Sequence, residues 1–262
     1  MASVDNSQST VPQSPRLAAV VIVANDEDRI AVCLESVAWA DTVYAVDLGS
    51  TDRSAETCTA GGRMPIALDS LPAALASENC DWVLLVQGHE EVTSELREAI
   101  TAVLSGRDAG GAPRGYRIGR HVEFLGRRLR SRGGQATDRV RLAHRDALDW
   151  GVARRMPQSL PVDGDTRELG AVLSARPCQD LQHYMRRMNV VTTATAKMRR
   201  RTGTTSGWRD LATVPLGHGL RAMPGALLRD GLAGVIFTVL ETYAIAVSRA
   251  KCWELQQTQA PG

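Results

Sequence analysis

Residues 18–54 read AAVVIVANDEDRIAVCLESVAWADTVYAVDLGSTDRS. The run 17–23 is continuously apolar and β-branched, the pattern of a strand buried on both faces. It stops at Asn25-Asp26-Glu27-Asp28, where Asn and acidic residues suit the cap and first turn of a helix. Ile30, Cys33, Leu34 and Val37 then recur on one helical face. A second strand, 42–46, ends at Asp47-Leu48-Gly49-Ser50-Thr51-Asp52. A strand, a helix and a strand in this order predict a parallel pair with a right-handed crossover.

Working outward, a short helix is expected over 54–60, a weak strand over 65–68 and an Ala-rich helix over 71–79. WVLLV at 82–86 is a third buried-type strand, followed by QGHEE and a helix over 94–104. In parallel sheets, ligands sit beyond the carboxyl ends of the strands. The three loops that leave those ends are ANDED, DLGSTD and QGHEE, and they form the candidate site. After the Gly-rich stretch 105–114, GYRIGRHVEF, LGRRLRSRGG and DRVRLAHRD read as short antiparallel strands with Gly turns. From Asp180 the pattern is helical, with loops expected at 203–207 and 215–224.

With 262 residues, 44% of them hydrophobic, the chain has enough material for one large α/β domain with a helical appendage. Aromatics are only 4%, so aliphatic side chains must fill the core. The five cysteines, 33, 58, 80, 178 and 252, include no C-x-x-C pair. That pattern disfavours a disulfide framework or a Cys-rich zinc site and suits a reducing, cytoplasmic setting. Residues 1–16 lack the basic and apolar regions of a signal peptide and read as a disordered lead-in. The most apolar window, 232–247, falls short of the about 18 residues of a membrane span and carries Glu241. Its simplest role is packing on the domain itself.

A net charge of +2 conceals a division. Residues 1–100 hold 16 Asp and Glu against five Lys and Arg, whereas residues 114–155 hold 12 Arg against four acids. Residues 185–201 add six bases and no acid. Such a split fits either an anionic partner for the later half or a solvated Arg-rich surface. A nucleic-acid partner is disfavoured, because no aromatic residues interleave the basic clusters.

The stretch VVIVANDEDRIAVCLESVAWADTVYAVDLGSTDRSAE resembles family 2 glycosyltransferases, in the branch that includes lipopolysaccharide-core and related sugar transferases. The resemblance continues through DWVLLVQGHEEV, GYRI…FLGRRLRSRGG…DRVRL and TYAIAVSRAKCWEL, over roughly residues 17–255. It implies a GT-A fold: a mostly parallel, Rossmann-like nucleotide-binding sheet with flanking helices, a small antiparallel acceptor-side region and a C-terminal helical segment. The implied divisions are a nucleotide-sugar half at 17–105, an acceptor side at 114–178, helices at 179–255 and a flexible tail at 256–262.

The implied chemistry is transfer of a sugar from a nucleotide-diphosphate donor to a carbohydrate, lipid-linked or natural-product hydroxyl, with inversion. A carboxylate base takes the hydroxyl proton, and a divalent cation, Mn or Mg, steadies the leaving diphosphate. Carried over residue by residue, Asn25, Asp26 and Glu27 match the first nucleotide-contacting loop, and Asp47, Gly49, Ser50 and Asp52 match the second. The same residues would also make good turns and helix caps. Asp138, within a GG-x-x-x-D-x-x-x-R-L-like pattern, matches the base. It could equally be a surface carboxylate pairing with Arg139 or Arg141, and Glu90 or Glu91 would be substitutes.

The third loop departs from the family. Where an Asp-x-Asp motif is expected, Gln87-Gly88-His89 stands, followed by Glu90 and Glu91. Gln87 and His89 remain donor-contacting candidates, and His89 with Glu91 is the remaining metal pair; imidazole suits Mn better than Mg. Otherwise an arginine must steady the diphosphate, or the chain is an inactive relative that binds a partner or regulates one. A basic cluster at 185–201 would suit peripheral contact with a cytoplasmic membrane face. Oligomeric state is left open.

Overall fold

The structure is a computed structural model that describes residues 15–106, 113–131, 139–149, 158–201, 203–204 and 206–258. Its first half follows the expected rhythm. Strand β1 (Leu17–Val23) lies between β2 (Thr42–Asp47) and β3 (Trp82–Gln87), parallel to both. Helices α1 (Ile30–Ser36), α2 (Ser54–Ala60), α3 (Leu71–Ser77) and α4 (Ser94–Leu104) occupy the connections. Both faces of β1 are covered, which explains its unbroken apolar sequence. Leu17, Ala19, Val21 and Val23 pack with Ile30, Cys33, Leu96 and Ile100, while Ala18, Val20 and Ile22 pack with Leu71, Leu75 and Leu148. The strand expected at 65–68 is reduced to a single bridge, Val46 to Ile66, before a 3-10 turn at Leu68–Ser70.

The second half supplies β4 (Glu90–Val92), β5 (Gly115–Phe124), β6 (Arg127–Arg128), β7 (Val140–His144) and β8 (Thr166–Ala175). Neither β4 nor β8 was legible in the sequence. β4 is three residues long, and β8 lies largely at the surface without the alternation of a half-buried strand. All eight strands form one sheet in the order β2-β1-β3-β7-β5-β8-β4, with β6 paired to β5.

This order forces a curl. Four inter-strand steps separate β3 from β4, about 19 Å if the sheet were flat. Yet only Gly88 and His89 join them, and three virtual bonds reach about 11 Å. The sheet therefore bends back on itself, and Gln87–Glu90 sits inside the bend, where the carboxyl end of β3 meets the returning β4.

Helices α5 (Leu181–Arg201) and α6 (Trp208–Gln257) complete the chain. Phe124, Tyr184 and Phe237 form an edge-to-face cluster that fastens both helices to β5. Lys251 Nζ donates to Asn189 Oδ1 (2.7 Å), Thr192 Oγ1 (2.9 Å) and Thr193 Oγ1 (2.7 Å), joining α6 to α5. Ala233, Ile236, Phe237, Leu240 and Ala244 pack on the domain, as the window 232–247 suggested.

The loop expected at 215–224 is instead helix, with Pro215 and Pro224 inside it. Each proline removes one backbone bond and bends the helix, but Leu216, Leu220, Met223 and Leu227 keep a helical period across both. The real break is Gly231, whose φ of 59° and ψ of −141° are non-helical.

Candidate functional site

The parallel register sets the carboxyl ends of β1, β2 and β3 side by side. The loops after β1 and β2 are laced together. Asn25 N donates to Ser50 Oγ (3.0 Å), and Thr51 N donates to Asn25 Oδ1 (2.7 Å). Asp26 N donates to Ser54 Oγ (2.8 Å) and Glu27 N to Asp52 Oδ2 (3.2 Å). Asn25 sits at a φ of 52°, a left-handed conformation that Asn tolerates better than most residues. In the β2 loop, Ser50 donates to Asp47 Oδ1 from both its N–H (3.0 Å) and its hydroxyl (2.6 Å). Gly49 has a φ of 102°, which excludes a side chain without strain.

The expected contact residues divide by depth. Glu27 and Gly49 are exposed, and Asp47, Ser50 and Asp52 are partly exposed. Asn25, Asp26, Gln87, His89 and Glu90 are buried. Asp26 is thus the floor of the site rather than a surface for ligand. Its Oδ2 accepts from Ala24 N (2.8 Å) and its Oδ1 from Arg187 Nε on α5 (2.8 Å). Arg187 Nη2 also donates to Gln87 Oε1 (3.3 Å). Burial opposes ionisation of Asp26, yet Arg187 and then His89 prevail and hold its pKa at about 2.

Gly88 is dictated by this floor, since a Cβ there would stand 2.6 Å from Asp26 Oδ2. His89 Nδ1 lies 3.6 Å from Asp26 Oδ1, outside hydrogen-bond reach. Burial and the neighbouring Arg187 push the His89 pKa down to about 4, so the ring is neutral at pH 7.

Two sequence expectations do not survive this geometry. Glu90 is not free to act as a base. Its Oε1 accepts from Arg141 Nη2 (2.9 Å), its Oε2 accepts from Gln87 N (2.9 Å), and despite burial Arg141 holds its pKa low. His89 and Glu91 do not converge as a metal pair. Glu91 reaches toward Arg29 (3.5 Å) and lines a separate groove of about 990 Å³ between α1 and α4. Among the described residues, no three His, Cys, Asp or Glu gather as a metal site. A divalent ion at the third loop would also face the Arg187 guanidinium, so these residues do not fit one. Asp138, the candidate base, lies outside the described residues, as do Gly133, Gly134 and Gln135.

α5 brings residues that the sequence did not assign. His183 Nε2 is 2.8 Å from the Asn25 carbonyl and 3.6 Å from Asp28 Oδ1. Asp28 has both carboxylate oxygens buried without a hydrogen-bond partner, and burial raises its pKa. Arg187 was visible only as part of a basic run. Its one signal was that the six bases at 185–201 include no acid, so their counter-charge had to come from elsewhere in the fold.

No protein-family model matches the chain. Solved structures similar to it include glucosyl-3-phosphoglycerate synthase from Mycobacterium tuberculosis in complex with phosphoglyceric acid. That match has 15% identity and a TM-score of 0.43, over 74% of this chain and 82% of that one. The same synthase with Mn2+ and UDP-glucose gives 14% identity and a TM-score of 0.41, over 74% and 81%. Residues 1–349 of S. aureus TarS give 13% and 0.42, over 93% and 92%. At such values no side chain is assigned from them, and what the chain has in its own right is a mixed α/β fold with a curled open sheet, flanking helices and a long C-terminal helix.

Proposed function

We propose that this chain is a GT-A-fold sugar transferase of the family 2 branch its N-terminal half resembles. In this proposal it binds a nucleotide-diphosphate sugar across the ends of β1, β2 and β3, and works without a bound divalent cation. The carrying observation is Arg187. A guanidinium stands at the third strand end, fixed by Asp26 and Gln87, where the family's sequence pattern would place metal-binding carboxylates.

The half-exposed Asp47, with Ser50 donating to it, is suited to accept hydrogen bonds from a ribose or base. Arg187 would offset charge developing on the departing diphosphate, a stabilisation that grows as the bond breaks. Inversion requires a carboxylate opposite the leaving group, and Asp138 is assigned that role by resemblance.

A second proposal is favoured by burial of the third loop. With Gln87, His89 and Glu90 all under 5% exposed, the fold is also consistent with an inactive relative that retains nucleotide binding. Thermal shift with UDP, GDP, TDP and CMP, paired with assays of sugar release, separates the two. A shift with turnover supports the transferase. A shift without turnover across a broad acceptor panel supports the inactive relative, and no shift with any nucleotide sinks both. Asp138→Asn should abolish transfer while leaving the nucleotide shift intact.

We further propose that the protein works at a cytoplasmic membrane face. Leu216, Leu220, Leu227, Leu228 and Leu232 on α6 are 60–84% exposed, and Arg209, Arg221 and Arg229 flank them, also exposed. Leu125, Arg127 and Arg128 on the β5–β6 hairpin are exposed too. This hairpin adjoins α6, because Arg130 N and Ser131 N donate to Asp230 (2.6 and 2.8 Å). Leucines ringed by arginines suit the boundary of an anionic bilayer. The five cysteines, all free and buried, are consistent with a reducing compartment.

A further inference from the structure

A second group of arginines lies beside the strand-end site, on its antiparallel side. β7 pairs antiparallel with β3, Leu142 opposite Leu84, so Arg141 and Arg139, the residue just before β7, come next to the carboxyl end of β3. β5 runs alongside β7, and its second half carries Arg120. Arg141 is 1% exposed and spends one nitrogen, Nη2, on Glu90. Its Nη1 is buried without a hydrogen-bond partner, as is Nε of Arg120.

The counter-charge is thin. Arg120 Nη2 is 3.7 Å and His218 Nε2 is 3.8 Å from Glu241 on α6, both too long for hydrogen bonds, and His218 Nε2 is itself unpartnered. Among the described residues, these three guanidiniums therefore share two carboxylates, one of which, Glu90, is engaged by Arg141 itself and by Gln87 N. Burial and the proximity of Arg120 and Arg141 push the Arg139 pKa down to about 10, as expected of cations crowded together. Burial also raises the pKa of Glu241.

Unpaired buried guanidinium groups are costly, and native folds rarely leave such donors unsatisfied without a role. Planar donor forks match phosphate oxygens two at a time. We propose that Arg120, Arg139 and Arg141 form an anion site that binds a phosphate group carried by the acceptor. Arg120 and Arg139 meet the phosphate directly, and Arg141 adds its free Nη1 from behind while it holds Glu90. His218 and the partly exposed Arg120 mark the way in. Assigning this phosphate to an acceptor rests on the transferase proposal above; the anion site itself does not.

The test is calorimetric titration of the full-length protein with inorganic phosphate, with glycerol 3-phosphate and with phosphatidic-acid vesicles. Arg120→Gln and Arg139→Gln are run in parallel, after circular dichroism confirms their fold. Wild type should bind phosphate in the millimolar range or tighter, and each substitution should weaken binding at least tenfold. Arg120→Lys and Arg139→Lys keep the charge but lose the fork; they replace any glutamine variant that misfolds and should lose at least threefold.

Binding of glycerol 3-phosphate supports a small phosphorylated acceptor, and binding of vesicles alone supports a lipid headgroup, provided the substitutions abolish it. Absence of binding in every arm overturns the site, as does binding of inorganic phosphate or glycerol 3-phosphate that the substitutions leave unchanged; vesicle binding that persists in the variants is assigned to the exposed leucines of α6 and does not count for the site. UDP and GDP titrated into the same variants should bind as in wild type. Failure of nucleotide binding alongside intact phosphate binding would remove the transferase proposal and leave the anion site standing.

Discussion

Acid should destabilise this protein through His89 in a window set by its burial. The imidazole is 3% exposed and faces the Asp26–Arg187 pair. Its pKa falls from 6.5 to about 4, first through burial and then through Arg187. The unfolded chain takes up a proton near pH 6.5 that the folded chain refuses until about pH 4. The His89 contribution is therefore flat above pH 7, and stability from this group declines as pH falls from 6.5 toward 4. Between pH 7 and pH 5 linkage gives a loss of about 2 kcal/mol from this one group.

Asp26 acts lower. Its folded pKa of about 2 against an ordinary 3.8 means that its contribution is lost only as pH drops from about 4 to 2, outside the His89 window. Urea unfolding at pH 7, 6 and 5 measures the effect, with His89→Gln as the non-titrating reference. Wild type should lose about 2 kcal/mol more than the variant across that range. Parallel pH profiles would mean that His89 is not held neutral beside Arg187, and would refute its assignment as a buried, neutral imidazole over the Asp26 floor.

Three further outcomes follow from the same geometry. Arg187→Gln strands the buried Asp26 carboxylate and should cost about 3–5 kcal/mol in urea unfolding; adding Asp26→Asn should recover much of it, and an additive double variant would contradict the pairing. Gly88→Ala drives a Cβ against Asp26 Oδ2 and should cost about 1–3 kcal/mol; a neutral result would show that the loop has room to move. Leu220→Ser with Leu227→Ser should leave thermal stability unchanged, since both are exposed, while abolishing co-flotation with anionic vesicles; unchanged flotation would remove the membrane assignment.

The parallel half was legible because each of its signals is local. The β-branched run at 17–23, the period of Ile30, Cys33 and Leu34, and the turn at Asp47–Asp52 each state their structure within a few residues. What escaped depends on the curl. Glu90 looked like a spare carboxylate in sequence, and only the bend that returns the start of β4 toward β7 reveals Arg141 as its partner. Arg187 and Asp26 are 161 residues apart, so no spacing rule connects them. Pro215 and Pro224 misled in the opposite sense: the local breaker signal was real, but the leucine period across it carried the helix through. The depth of Asp26 was likewise hidden, because an acidic residue after a strand reads as a cap or a contact until α5 is seen lying across it.

Under the proposed function, a nucleotide diphosphate binds at these strand ends with an arginine in place of a metal. Calorimetric titration of UDP, GDP, TDP and CMP into the full-length protein, in EDTA and again in Mn2+, tests it directly. At least one nucleotide should bind in EDTA with an affinity that Mn2+ leaves unchanged, and Asp47→Asn should weaken it. Binding that appears only with Mn2+, or none under either condition, would contradict it.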